Sequence, residues 1–142
     1  MELKNKRAYF DYYIEEEIEA GIVLVGSEIK SLRQNRGDIK DSYVTFKDNE
    51  AYVINMYIPK YEEANIFNHD ERKTRKLLLH KKEIKKLKEK LTIEGYNIVP
   101  LKVYLKRNHV KLLIGVAKGK KLYDKREDIK KRDIQKETKY RF

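Results

Sequence analysis

A mainly β fold with flanking helices is what this sequence predicts, and three observations carry the expectation. Residues 43 to 58 alternate apolar and polar residues on either side of Asp48-Asn49, as a β-hairpin does. Residues 96 to 117 do the same on either side of Arg107-Asn108. Stretches with helical spacing fall between these hairpins rather than after every strand, which argues for an antiparallel sheet and against a doubly wound parallel one.

Taken in order, YFDYYIEEE (9 to 17) and AGIVLVG (20 to 26) read as two strands, with Gly21 suited to a bulge and Gly26 to a turn. SEIKSLRQNRG (27 to 37) reads as a helix with Ser27 as N-cap, Ile29 and Leu32 three apart, and Gly37 as its stop. In the first hairpin Val44 and Phe46 alternate with Tyr43, Thr45 and Lys47. After the turn Val53, Asn55 and Tyr57 alternate with Tyr52, Ile54 and Met56. The first half of KYEEANIFNHDERKTRKLLL (60 to 79) has no clear period, so the segment reads as an exposed loop leading into a helix. HKKEIKKLKEKLTIEG (80 to 95) is a second helix, with Ile84, Leu87 and Leu91 on one stripe and Gly95 as its stop. In the second hairpin Val99, Leu101, Val103 and Leu105 share one face, Val110, Leu112, Ile114 and Val116 another, and Pro100 suggests an edge or the start of pairing. The sum is an OB-like antiparallel Greek-key barrel of about six strands with two or three flanking helices; pattern alone leaves other Greek-key barrels open.

The expected division is a barrel domain over residues 1–117 and a basic C-terminal tail over 118–142. The tail holds eleven Lys and Arg against five Asp and Glu, more than half of the chain's formal net charge of +11. Acid-to-base pairs four apart, such as Glu127 with Lys131 and Asp128 with Arg132, each support a helix by roughly 0.2–0.5 kcal/mol. Ile129 and Ile134 are too few to dock it, so the tail is expected to be disordered alone and helical against a polyanion.

At 142 residues and 40% hydrophobic, the chain can build one modest core. A sequence pI near 9.6 and eleven tyrosines favour a polyanionic partner, nucleic acid before a membrane surface, since no helix with a wide apolar face stands out. The absence of cysteine excludes disulfides, thiolate metal sites and cysteine nucleophiles. The longest aliphatic run, Ile22 to Val25, is far short of a membrane span and MELKNKRAYF has no apolar signal region, so a cytoplasmic protein is expected. No cofactor or metal is expected: His69, His80 and His109 are far apart, and His69-Asp70 lacks further ligands at suitable spacing. GVAKGKK (115 to 121) is one residue short of a phosphate-binding loop and ends in Lys121 instead of Ser or Thr, so nucleotide hydrolysis is rejected and no enzyme is expected.

Four blocks in order, NKRAYFDYYIEEEIEAGIVLVGSEIKSLRQNRG, DSYV, RKLLLHKKEI and GVAKGKKLYDKR, resemble the SsrA-binding protein family, also called small protein B. The likeness runs from Asn5 to about Arg132, with departures at Glu71, where proline is expected, and Tyr123, where some members carry histidine. The resemblance implies a bacterial RNA-binding protein that carries transfer-messenger RNA (tmRNA) to ribosomes stalled on messages without a stop codon. It implies one monomer per tmRNA, bound to the tRNA-like domain of that RNA, and a tail that enters the empty mRNA channel near the decoding centre.

Binding a folded RNA needs cations at phosphates, polar groups at bases and apolar groups against exposed rings. Lys6 and Arg7 are phosphate seekers, and the resemblance adds Asn5 as an RNA contact. It also assigns Glu19, beside Gly21, to the tRNA-like domain; an acid there must accept from a base N–H or orient a cation. Lys30 and Arg33, three apart, form a phosphate clamp or an ordinary wet face. RKTRKLLLH sets Arg75 and Lys76 beside three leucines that cannot all face one core, and by resemblance Leu78 meets RNA. In the tail, Lys118, Lys120 and Lys121 surround Gly119, read as a hinge. The resemblance assigns Asp124, Lys125 and Arg126 to a step after ribosome binding, with Tyr123 beside them suited to stacking on a base. A general RNA-binding protein with no preferred RNA fits the composition equally well.

Overall fold

A computed structural model describes residues 1–62 and 68–120. In chain order the elements are β1 (Glu2–Lys4), α1 (Lys6–Asp11), β2 (Tyr12–Ile22), α2 (Gly26–Arg33), β3 (Tyr43–Lys47), β4 (Glu50–Ile54), β5 (Arg75–Leu78), α3 (Lys81–Leu91), β6 (Tyr96–Lys106) and β7 (His109–Gly119). The seven strands form one sheet in the order β1-β6-β7-β2-β5-β4-β3, every neighbouring pair antiparallel. β3 packs alongside β6 without a ladder between them, so the sheet curls back on itself. The inner face carries the main core, including Leu112, Ile114 and Val116 of β7, Val53 of β4, Leu32 of α2, and Ile84 and Leu87 of α3. Among the described residues no helix is long and apolar enough to cross a membrane.

Both hairpins form about their expected turns, though β4 ends at Ile54 instead of running on to 58: Asn55 takes a φ of 63° and breaks the expected alternation, so that Met56 and Ile58 are buried rather than Asn55 and Tyr57. The turn residues of both hairpins all take positive φ, 52° and 63° at Asp48 and Asn49, 52° and 66° at Arg107 and Asn108, which matches the right-handed twist of the flanking strands. α3 ends before Gly95, whose φ of 90° suits glycine.

Four further expectations need correction. The two strands placed at 9–17 and 20–26 are one, β2, and the chain ahead of it is helical: the Asn5 side chain accepts the Ala8 N–H at 3.2 Å and starts α1. α2 begins at Gly26, so Ser27 lies inside it rather than capping it. The Val25 N–H is taken instead by Glu28 Oε1 at 2.8 Å, and the helix stops at Arg33, before Gly37. In β6 a bulge at Leu101 splits the expected apolar face: Val103 and Leu105 join the main core, while Val99 and Leu101 turn to the outer face with Ala8 and Ala117. Pro100 therefore sits within a paired strand beside the bulge, where a missing N–H is tolerated. A Cβ on Gly115 would lie 2.7 Å from Leu101 Cδ1, so the glycine makes room for the bulged leucine.

Finally, the segment 60–79, expected as an exposed loop leading into a helix, contains the strand β5. Its alternation buries Arg75 and Leu77, each 1% exposed, and turns Leu78 outward. Inside, Arg75 Nε donates to Glu28 Oε2 at 2.5 Å, Nη1 to the Met56 carbonyl at 2.6 Å, and Nη2 to the carbonyls of Glu71 at 3.1 Å and Asp70 at 3.3 Å. Glu28 is fully buried with it. Removing one partner of such a pair strands the other charge, at about 3–5 kcal/mol. Glu28→Ala should therefore lower the urea midpoint by that equivalent; an unchanged midpoint would show that the pair is not what holds α2 to β5.

Candidate nucleic-acid interface

Antiparallel partners point to the same side of a sheet, so the ladder shows which residues share the outer face. Glu19 pairs with Leu113, Gly21 with Lys111 and with Leu78, and Tyr104 with Lys111. Glu19, Gly21, Leu78, Lys111 and Tyr104 therefore form one outward patch. Lys102 and Lys106 flank Tyr104 on the same side of β6, and Lys76 adjoins Leu78 two residues back on β5.

Leu78 is 54% exposed. It lies over Gly21, where a Cβ would come within 3.2 Å of the Leu78 Cβ, so the glycine lets the leucine settle across β2. Beside them is a cleft of about 270 Å³ lined by Ile22, Leu24, Ile29 and Lys111 among others. A second cleft of about 300 Å³ opens on the same sheet face toward α1, where Lys6 and Lys102 stand near Tyr9, whose hydroxyl donates to Glu17 at 3.0 Å.

Glu19 lies between the two clefts. The Tyr104 hydroxyl donates to its Oε1, and Lys106 Nζ reaches Oε1 at 3.4 Å and Oε2 at 3.3 Å. The Tyr104 hydrogen bond first, then Lys106 and Lys111, hold the Glu19 carboxyl below the usual carboxylate range. Burial, then the bond to Glu19, pushes the Tyr104 phenol up to about 12. An ionised acid thus sits at the centre of a lysine-rimmed face, with an apolar step at Leu78 on one side.

Of the residues singled out from sequence, Glu19, Gly21, Lys76 and Leu78 come together here, and Lys6 borders the second cleft. Arg7 is on α1 too, its Nε 3.1 Å from Asp11. Lys30 and Arg33 stand exposed on α2, with Lys30 5.7 Å from the Tyr61 ring centre. Two of the expected contacts are interior. Asn5 is 3% exposed, and its amide donates to the carbonyls of Pro100 at 2.8 Å and Ile39 at 3.4 Å, so it seats α1 on the β6 bulge instead of offering itself to a ligand. Arg75 is consumed by Glu28 and cannot reach a phosphate.

Lys118 and Gly119 are the last residues of β7, paired with Tyr13 and Tyr12, so Gly119 is extended strand rather than a hinge and the folded body continues past 117. Lys120 Nζ donates to the Tyr9 carbonyl at 3.3 Å and lies 5.0 Å from the Tyr13 ring centre. Lys121, Tyr123, Asp124, Lys125 and Arg126 lie outside the described residues. His69 is an interior residue: Nε2 is 2.9 Å from the Ile58 carbonyl and must donate to it, while Nδ1 is 2.7 Å from Ser27 Oγ.

Sequence reading missed Tyr104, Lys106, Lys102 and Lys111. Their signal was present as the polar half of the β6 and β7 alternation, whose apolar half alone was used.

Two outcomes check this geometry. The depressed Glu19 carboxyl means its bonds are intact above the ordinary carboxylate range and lost as pH falls through the lowered value. Tyr104→Phe should raise the Glu19 titration midpoint, read by carbon NMR of the side-chain carboxyl; no movement would remove Tyr104 as the cause. Asn5→Ala should cost about 1–3 kcal/mol of stability through a lost cap and unpaired carbonyls, whereas Leu78→Ala should leave the melting curve nearly unchanged.

Comparison with known proteins identifies the family. The family model described as SmpB protein matches residues 2–142. An SsrA-binding protein of Staphylococcus aureus strain JH1 is 54% identical, covering 98% of this chain and 93% of its own. That of Fervidobacterium nodosum is 53% identical, covering 95% and 91%. A chain in a solved structure described as tmRNA-SmpB, a journey to the center of the bacterial ribosome, superposes with a TM-score of 0.75 at 46% identity over 94% of each chain. Matched by that family model over residues 2–142 and by relatives more than half identical along nearly its whole length, this chain belongs to the SmpB family.

Proposed function

We propose that the chain is a non-catalytic, cytoplasmic adaptor for ribosome rescue. It binds the tRNA-like domain of tmRNA as a monomer, one per RNA, and delivers it to stalled ribosomes for trans-translation. The observation that carries this reading is the convergence of Glu19, Gly21 and Leu78 on one outward patch rimmed by Lys76, Lys102, Lys106 and Lys111. A carboxylate and an apolar step are poor partners for phosphate alone, yet they suit exposed base edges and rings. Relatives more than half identical carry the name SsrA-binding protein, which fits an RNA of this class.

In this reading Lys6, Arg7, Lys76 and the lysine rim take phosphates, with Lys30 and Arg33 offering a further cationic pair on α2. Asn5 and Arg75 act from inside by holding α1 and β5 in place. The folded body reaches Gly119, and the tail beyond it, with Lys121, Tyr123, Asp124, Lys125 and Arg126, enters the mRNA channel of the small subunit near the decoding centre. No cofactor or metal enters the mechanism.

Affinity measured across salt for a labelled tRNA-like domain and an equally long unrelated RNA tests the first half. An adaptor keeps its preference where phosphate contacts are weakened; equal affinities at every salt would leave a general RNA binder instead. Replacing Asp124, Lys125 and Arg126 together with Ala should leave tmRNA affinity within a few-fold and abolish tagging on stalled ribosomes. A large loss of RNA affinity in that variant would overturn the separation of body from tail.

A further inference from the structure

The expected boundary between body and tail falls after residue 117, and β7 crosses it without loosening. Lys118 pairs with Tyr13 of β2 on one side and with Tyr96 of β6 on the other, so the three side chains stand on the same side of the sheet. The Gly119 N–H then donates to the Gly95 carbonyl, just ahead of β6, at 3.1 Å. Lysines at such a boundary ordinarily extend into water, yet two here turn back onto rings. Lys118 Nζ lies 5.7 Å from the centre of the Tyr96 ring. Lys120 Nζ lies 5.0 Å from the centre of the Tyr13 ring and donates to the Tyr9 carbonyl of α1 at 3.3 Å. Both ring contacts are within cation–π range.

Tyr96 is itself held in place. Its hydroxyl donates to Glu15 at 2.7 Å, and Lys90 of α3 lies 4.7 Å from the same ring and 3.5 Å from the same carboxylate. The Tyr96 hydrogen bond first, then Lys90 and Lys118, hold the Glu15 carboxyl below the usual carboxylate range. The acid thus offsets the two ammonium groups gathered at the ring. Tyr13 is 45% exposed and joins neither core cluster. Its ring adds little to the barrel and stands where the tail begins.

We propose that Tyr13 and Tyr96 clamp Lys118 and Lys120 so that the basic tail leaves the body in one fixed direction. The two tyrosines are then positioning residues for the tail's entry into the mRNA channel. Body and tail are two binding modules, and a freely swivelling root lowers the effective concentration of the second once the first is bound. A held root avoids that loss, as preorganisation does in general. This inference rests on the proposed adaptor function, and names residues that couple its two halves.

The test compares the full chain with its Tyr13→Leu/Tyr96→Leu and Tyr13→Phe/Tyr96→Phe double variants. Phenylalanine keeps both rings, whereas leucine keeps apolar bulk and removes them. Backbone amide NMR relaxation should show residues 118–120 as rigid as the rest of β7 in wild type and in the Phe variant, and loosened in the Leu variant. Affinity for tmRNA should stay within about twofold throughout, while tagging on stalled ribosomes falls about tenfold with Leu and by less than about twofold with Phe. Matching thermal melts exclude a damaged barrel. Should the Leu pair melt early, Tyr13→Leu against Tyr13→Phe, at a site outside the core, carries the same comparison with a smaller loss. If 118–120 relax alike in all three proteins, or if Phe loses as much tagging as Leu, the rings are not the clamp and the inference fails. If the root loosens and tagging is unchanged, the inference fails while the adaptor reading stands. If the wild-type chain itself supports no tagging, the adaptor reading fails and the inference with it.

Discussion

The ion pair between Arg75 and Glu28 is the constraint from which the arrangement of the working face follows. A guanidinium in the interior needs its donors satisfied, and this one is bonded to a carboxylate and to three carbonyls from two separate parts of the chain. Those bonds fix β5 against α2, against the end of β4 and against the loop at residues 70–71. They also decide a parity: with Arg75 inward, Leu77 must be inward and Leu78 outward. A slip of one residue would bury Lys76 with Leu78, turn Arg75 and Leu77 outward, and leave Glu28 buried without its guanidinium. The pair thus specifies register, whatever its net contribution to stability.

Much of the architecture could be read from the chain because its signals are local. Asp48-Asn49 and Arg107-Asn108 favour the positive φ that a tight hairpin demands, and α3 carries its apolar stripe and its glycine stop within sixteen residues. What was not legible depends on partners far away in sequence. Asn5 looks like part of a solvated terminus until Ile39 and Pro100 are brought to its amide. Arg75 looks like a phosphate ligand until Glu28, 47 residues earlier, takes its charge. The run of three leucines has no period of its own, and only pairing with β2 and β4 makes it a strand. The Leu101 bulge escaped for a related reason: it is tolerated because Gly115, on another strand, leaves it space.

The candidate site divides along the same line. Glu19 and Leu78 were identified by family resemblance, and no local physical rule would have chosen them. Tyr104 and Lys106 had no such flag, and their part emerges from cross-strand geometry: an acid on β2 meets a phenol and an ammonium two strands away on β6. On the proposed assignment of this face to RNA, such an acid would supply selectivity that lysines alone do not, since it disfavours most partners that phosphate contacts would hold.

β7 carries Lys111 at the patch and Gly119 at the root of the basic tail, as one uninterrupted strand. Eight steps of about 3.3 Å put these two points roughly 26 Å apart with no joint between them. The strand is therefore a ruler with a phase as well as a length. One inserted residue would shift the tail's root by a few ångströms and also turn it to the opposite side of the sheet, whereas two would restore the side and change only the reach. Whatever lies at the two ends must match a spacing that changes cleanly only in steps of two residues, so the two contacts are bound to vary together or not at all.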